Sequence, residues 1–499
     1  AFASEIKALL ALDEGLAAPN KEYLADFLVG ITTNATDTAY ASLRRLPPAH
    51  TLTVTAGACR VERYWSLDTE RTVRYDSDSE YAAAFRTVFD EAVRCRLRSP
   101  GPVGALLSGG LDSSSIVATA QALDETPPLH TFSTVFDAHP SCDERSYIAA
   151  VVRQGGVTAH QTAGETVSPV GLLDELGAVQ DQPYAAPNLA LSCLQYRNVE
   201  GQGLRVLLDG HGGDEVVSHG DGRLFELARA GKWGALAREL RGLRRTERLG
   251  SAASLFWAYA WGVGLAPWLE RHPWLHALWN GVRRGTSVFR RAPKQEAVPE
   301  AEPLRLLRAQ LGERTGVADR YAAHRREQSR PLVEAERHAR QLRHPIQVGG
   351  FEVLDPLSAS FGVETRYPFW DRRLVEFCLA LPSDQKLRRG WGRFVLREAM
   401  RGRLPETVRM RAAKTDFVPF LFGDMRREKR CLQSLLFSPR TGEKEYTEET
   451  AMREIWRTFI QSDASTVSPR SLFIVWTVAV FRHWLHGRSA SGAEHERSR

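Results

Sequence analysis

Eight consecutive residues, 108–115 (SGGLDSSS), combine glycines, hydroxyls and one carboxylate in a way that suits phosphate chemistry. Glycines without Cβ let the backbone approach a phosphate closely, serine hydroxyls add donors, and a following helix N-terminus presents unpaired N–H groups. Ser108, Gly109, Gly110, Asp112, Ser113 and Ser114 are therefore the candidate nucleotide-binding residues. The run lacks the Lys-Ser/Thr ending of a Walker A loop, which points away from γ-phosphate transfer and towards a metal-bridged pyrophosphate leaving group. A second acidic run, 209–215 (DGHGGDE), directly follows the apolar stretch 204–208. Strand ends of an open parallel sheet are where ligands bind. Asp112 and Asp214 would then stand at neighbouring strand ends and could share Mg²⁺ with phosphate oxygens, because that ion draws part of its oxygen shell from substrate. The competing role for either aspartate is helix N-capping.

These loops need elements to position them. A helical pattern from 78 to 97 leads into Gly101-Pro102, an apolar strand at 103–107, the glycine-rich turn and a helix from Asp112 onward. Further apolar runs predict strands at 129–136 and 204–208, with helices between them, for instance at 144–153. This alternation argues for a parallel α/β sheet. Ahead of it, residues 1–68 mix a short helical pattern at 4–12 with strand-like pieces such as 51–55, too little for an independent core. Beyond Gly220 the chain turns helical and rich in Arg and Trp, with five of the twelve tryptophans between Trp257 and Trp279. Packing in a helical core is the expected use of aromatics at that spacing, with a share in a pocket wall as the alternative. Residues 292–303 (APKQEAVPEAEP) read as an exposed linker, and 487–499 as a disordered tail.

Four motifs carry a family resemblance: SGGLDSS, GHGGDE, residues 362–371 (GVETRYPFWD) and residues 411–417 (RAAKTDF) occur in the order seen in asparagine synthetases. The chain resembles that superfamily from residue 1 to about 485, with a poor match between 220 and 345. The resemblance implies an α/β architecture in two parts. Residues 1–70 would be the remnant of an N-terminal Ntn-hydrolase, glutaminase-like domain. Residues 71–486 would form a parallel-sheet adenine-nucleotide α-hydrolase-like (PP-loop) synthetase domain with a helical insertion at about 221–345. It further implies ATP and Mg²⁺ as cofactors, pyrophosphate held by Ser108, Gly110, Asp112 and Ser113, and Mg²⁺ held by Asp112 and Asp214. Lys414 matches the lysine that stabilises charge during adenylation and amide formation; a fixed cation beside a pentacoordinate phosphorus acts most strongly in a dry site. Its competing role is that of a solvated lysine beside Arg409 and Arg411. Glu364 completes the catalytic set, expected with Arg366 to orient the site rather than to react.

Two departures narrow the activity. Asparagine synthetases carry a glutamate, and β-lactam synthetases a tyrosine, where this chain has His211. An imidazole, with an ordinary pKa of about 6.5, suits removal of a proton from an α-amine of pKa about 8. The alternative for His211 is shaping its loop by hydrogen bonds. The chain opens with Ala1, inside what reads as the latter part of a glutaminase domain, with no cysteine nucleophile at position 1. A superfamily member with these features looks similar to lasso-peptide cyclases. That likeness implies macrolactam closure: a side-chain carboxylate of a precursor peptide becomes an acyl-AMP, and the peptide's own α-amine displaces AMP. A leader-binding protein and a leader peptidase come into view as partners. The alternatives are an asparagine synthetase using ammonia, a PP-loop tRNA-modifying enzyme, and a non-catalytic scaffold.

Composition sets outer bounds. A net charge of +6 arises from 66 basic against 60 acidic residues, a mixed surface rather than a nucleic-acid-binding one. The basic run 241–248, with Glu239 just ahead of it, Glu247 within it and helical spacing, reads as a solvated helix face, so no nucleic acid is expected. Six scattered cysteines lack metal or disulfide spacing and read as reduced thiols. No signal peptide is visible, which predicts a cytoplasmic protein, and the apolar run 471–481 is too short for a membrane span and predicts a buried helix.

Overall fold

The computed structural model of the chain describes residues 1–123, 128–246, 252–260, 263, 302–412, 414–437, 445–463 and 466–497. Two strands, β1 (His50–Val54) and β2 (Cys59–Arg63), form an antiparallel hairpin that is exposed except at the half-buried His50. The central sheet is parallel and contains β3 (Val103–Leu106), β4 (Leu129–Val135), β5 (Thr158–Ala163), β6 (Val206–Leu208) and β7 (Glu364–Arg366), in the spatial order β5-β4-β3-β6-β7. The chain starts at the centre with β3, moves outward through β4 and β5, then returns to the other side of β3 for β6 and β7. The point where strand order reverses therefore lies between β3 and β6, and a crevice opens there at the carboxyl ends. The α/β class and parallel sheet match the expectation from sequence, with β5 and β7 added to the strands read there.

The central strands β3, β4 and β6 feed both faces of the sheet, as a period of two requires. Val103, Ala105, Val206 and Leu208 face one core, which contains Phe85 and Phe89 of the helix Asp78–Arg94 and Val395 and Leu396 of the helix Phe394–Ala399. Phe132 and Leu207 face the other, with Tyr196, Phe420, Phe459 and Trp476. Helices thus cover both faces, the arrangement that keeps a parallel sheet dry. The N-terminal helix Lys21–Val29 contributes Leu24 and Leu28 to this second core, alongside Leu306 and Phe481, so the first residues pack onto the synthetase part instead of around a core of their own.

The run 471–481 lies within the helix Pro469–Arg497, with Leu472, Val475, Trp476 and Phe481 fully buried. That helix continues to Arg497, through most of the stretch expected as a tail. The described residues between 221 and 345 include the helices Gly222–Arg229, Trp233–Thr246, Ala252–Tyr259, Ala309–Thr315, Val317–Ser329 and Glu334–Leu342. In the helix Trp233–Thr246, Leu236, Leu240 and Leu243 are buried while Arg241, Arg244 and Arg245 are exposed, which makes the basic run a solvated face. The linker 292–303 lies outside the described residues except for its last two positions, which begin the helix Glu302–Arg305. Of the five clustered tryptophans only Trp257 is described, and it is exposed. All six cysteines are free thiols. Among the described residues no helix is long and apolar enough to cross a membrane.

Candidate active site

The two motif loops leave the adjacent strands β3 and β6 and meet at the switch-point crevice. In the first, Ser108 N–H donates to Ser113 Oγ at 3.1 Å, the two hydroxyls lie 3.0 Å apart, and Gly110 N–H donates to Ser108 Oγ at 3.3 Å. The loop is thereby folded on itself ahead of the helix Leu111–Ala122, whose N-cap is Gly110 and not Asp112. Gly109 has φ +72°, and a Cβ there would sit 2.6 Å from Tyr147 Cβ, so this position needs glycine for both conformation and space. Ser114 is a correction: it is fully buried, its hydroxyl without a partner, because one step along the helix turns it from the crevice into the packing.

The second loop brings its carboxylate to the first through backbone proximity. Gly213 lies so close to Asp112 that a Cβ would stand 2.4 Å from the Asp112 Cγ. Asp112 and Asp214 converge on one nitrogen: Arg393 Nη1 is 2.6 and 2.7 Å from the Asp112 oxygens and 2.7 Å from Asp214 Oδ1. Lys414 Nζ contacts Asp214 Oδ2, and His219 Nε2 is 3.1 Å from Asp214 Oδ1. A cation therefore already sits between the two carboxylates expected to share Mg²⁺, and the pair fits such an ion. Two carboxylates are a partial shell, and no group of three metal-binding side chains occurs among the described residues, which suits an ion that completes its octahedron with phosphate and water.

Three residues here were not read from sequence as site residues. Arg393 is buried and has a left-handed φ of +54° at the start of the helix Phe394–Ala399. Arg397, one turn later, has its pKa pulled down to about 10 by burial and by the like charge of Arg393. Arg411 fastens the 411–417 segment to the first loop: it donates to the Gly109 carbonyl at 3.2 Å, pairs with Glu144 at 2.5 Å and lies 4.2 Å over the Tyr147 ring. Lys414, carried by that segment, is two-thirds exposed and free to follow a ligand.

His211 faces away from this cation cluster. Its backbone N–H donates to Asp209 Oδ1 at 2.9 Å, and its ring meets Phe351 and Tyr367 edge to face at 5.5 and 6.0 Å. Phe351 also contacts Trp370, at 5.7 Å between centroids. His211 Nε2 is buried without a partner, as are the Tyr367 hydroxyl and Trp370 Nε1. Burial raises the Asp209 carboxyl pKa, opposed by His211.

Glu364 does not belong to the site. In the parallel register it stands opposite Val206, at the amino end of the sheet, while the motif loops leave the carboxyl end. Its exposed carboxylate pairs with Arg366 at 2.8 Å, and Arg366 donates to the carbonyls of Arg96 and Arg98. The pair fastens the approach to β3 and has an architectural role.

A buried charge cluster ties the insertion to the second loop. Glu334 accepts from Ser218 Oγ at 2.7 Å and Gly222 N–H at 2.9 Å, and His338 Nε2 lies 2.9 Å from the Glu215 carbonyl. Lys386, fully buried, is 2.9 Å from His338 Nδ1 and 3.8 Å from Glu334. Burial lowers the pKa of Lys386 and, together with Lys386, keeps His338 well below the ordinary histidine range.

Residues 84–486 match the family described as asparagine synthase, and residues 1–65 match a glutamine amidotransferase domain. The glutamine-hydrolysing asparagine synthetase 3 of Bacillus subtilis is 24% identical over 82% of this chain, a match covering 59% of that protein. A glutamine-hydrolysing asparagine synthetase 2 assigned as putative in Methanocaldococcus jannaschii is 33% identical over 31% of this chain and 29% of its own length. One from Brassica oleracea is 28% identical over 34% of this chain and 30% of its own. The chain thus spans less than two thirds of each of these relatives.

Proposed function

The chain belongs to the asparagine synthase family, and from that premise we propose that it is an ATP-dependent, AMP-forming carbon–nitrogen ligase. A substrate carboxylate oxygen attacks the α-phosphorus of ATP, the bond to the β-phosphate oxygen breaks, and its electron pair leaves with pyrophosphate. An amine then attacks the acyl carbon, AMP departs, and the amine proton passes to a base. The observation that carries this reading is the convergence of Asp112 and Asp214 on a single cation position at the switch point. Mg²⁺ held there by Asp112 and Asp214 would supply charge neutralisation to the leaving pyrophosphate. Ser108, Gly110 and Ser113 cradle the phosphates, while Lys414 opposes the charge that develops on the phosphorus and then on the acyl oxygen.

For the substrates, the reading is macrolactam closure of a lasso-type precursor peptide. Its support is the acceptor side: His211 is walled by Phe351 and Tyr367, with Trp370 packed on Phe351, apolar faces suited to a peptide, and it has an unpartnered ring nitrogen ready to take the proton of an α-amine. A second reading, asparagine formation with ammonia, is favoured by the likeness to asparagine synthetases. The test is nucleotide and peptide mass spectrometry after incubation with Mg²⁺ and ATP, offering either a leaderless core peptide or aspartate with ammonia. AMP together with a peptide lighter by one water supports macrolactam synthesis. AMP formed only with aspartate and ammonia selects the second reading, and ADP overturns both.

A further inference from the structure

Arg393 makes an unusual use of its guanidinium. The group offers five N–H donors in a planar fork, and its favoured partner is a carboxylate or phosphate gripped by two nitrogens. Here the single nitrogen Nη1 serves both Asp112 and Asp214, while Nε is buried with no partner. The residue is only 5% exposed and is held at φ +54°, a conformation a long side chain adopts only when its surroundings impose it. Beside it opens a cavity of about 340 Å³ lined by His219, Trp391, Arg393, Arg397 and Lys414, with Thr246 of the insertion closing the wall. Four of these side chains are cationic or can become so, and among the described residues none that lines the cavity is acidic. Such a wall suits a polyanion.

We propose that Arg393 is an exchangeable counter-cation: it neutralises Asp112 and Asp214 while no nucleotide is bound, and transfers to the pyrophosphate group when metal and nucleotide enter together. The inference rests on the reading of Asp112 and Asp214 as metal ligands. Its logic is charge balance. Arg393 and Lys414 already offset the two carboxylates, so a bare divalent ion must displace a buried arginine and gains little net attraction. A metal bound to pyrophosphate brings the anion that the displaced guanidinium needs, and the freed donors gain partners. Metal and pyrophosphate must then favour each other's binding, by reciprocal linkage. Arg393 becomes a residue that contacts the leaving group and also discourages unproductive binding of metal alone.

The test compares Arg393→Gln and Arg393→Met with the wild-type chain in two titrations that need no turnover. Binding of Mn²⁺ alone is followed by the electron paramagnetic resonance signal of the free ion, and binding of preformed Mn²⁺–pyrophosphate by calorimetry. The neutral variants should bind Mn²⁺ alone at least tenfold more tightly and Mn²⁺–pyrophosphate at least tenfold more weakly. A folding lesion would weaken both, so the opposite signs are the signature. If neither neutral variant gains affinity for Mn²⁺ alone, or if pyrophosphate binding is unchanged, the exchange is wrong. Asp214→Asn separates the two levels: retention of wild-type Mn²⁺–pyrophosphate binding there removes the metal-site reading itself, whereas its loss leaves that reading intact whatever the Arg393 variants do.

Discussion

Replacing Gly213 by alanine should disable adenylation while leaving the fold intact. The added Cβ would lie 2.4 Å from Asp112 Cγ, 2.5 Å from its Oδ1 and 2.8 Å from its Cβ. Carbon atoms in contact prefer roughly 3.5–4.0 Å, so the carboxylate must retreat by about 1 Å. A displacement of about 1 Å at a reacting centre costs on the order of 100-fold in rate. Gly213 begins the short helix Gly213–Val217 and lacks a positive φ, so alanine suits the backbone there and gains up to about 1 kcal/mol of helix propensity, which offsets part of the local strain. ATP–pyrophosphate exchange should therefore fall about 100-fold, with the thermal midpoint within a few degrees of wild type. Exchange within threefold of wild type would mean that the separation of the two aspartates does not govern activation. A collapse of the thermal midpoint would mean that the loops hold the sheet together rather than resting on it.

Three further outcomes are expected. His211→Ala should slow amide formation by about 100-fold while acyl-AMP formation changes only a few-fold, as resolved by single-turnover quenching; equal loss in both steps refutes a base at this position. Lys386→Met leaves Glu334 buried without its cation and should cost roughly 3–5 kcal/mol in urea unfolding, whereas adding Glu334→Gln to that variant should recover most of the loss. Burial alone would raise the Asp371 pKa, but hydrogen bonds from Arg373 and Arg96 overcome it and hold the carboxyl below the ordinary aspartate range. Its contribution is complete above an unfolded pKa of about 3.9 and is lost as pH falls through the lower folded value. The stability gap between wild type and Asp371→Asn should accordingly be constant at neutral pH and narrow in acid, measured by urea midpoints; a gap that widens in acid contradicts this sign.

Local features were readable where a motif and its element coincide. The strand β3, the turn after it and the helix Leu111–Ala122 form one continuous stretch, in which an apolar run, a glycine-rich turn and a second buried run mark the order of the elements. β7 has three residues of which only Thr365 is buried, which leaves no apolar run to read, and β5 is exposed or half-buried throughout. Glu364 was misplaced because motif order establishes kinship while parallel register decides which end of a strand a residue occupies. Ser114 failed for a similar reason: composition marks the run 108–115 as a unit, but the helix begins within it. Arg393 could not be found from spacing, since its partner Asp112 is 281 positions away and the run 391–397 (WGRFVLR) resembles any amphipathic helix start. Only the fold brings the two together.

The second loop explains how activation chemistry and choice of amine can be set separately. Over seven residues it presents Asp214 to Arg393, Lys414 and His219 on one side and His211 to Phe351 and Tyr367 on the other. Gly212, at φ +91°, separates the two faces, and a Cβ there would collide with Trp370 Nε1 at 2.1 Å, which presses the turn against the aromatic wall. If His211 serves the amine and Asp214 the metal, as proposed, a change at His211 should alter the acceptor side without moving the Asp214 carboxylate. The helix Ile346–Ser360 forms the opposite wall of that pocket, with a Cβ on Gly350 falling 3.5 Å from His211 Nε2. On the proposed reading of His211 as the base, this helix and the aromatic residues after β7 would set selectivity for the amine. The activating half rests on separate supports: the Gly213–Asp112 contact, the arginines after the short strand Trp391–Gly392, and the anchorage of Arg411 on Gly109.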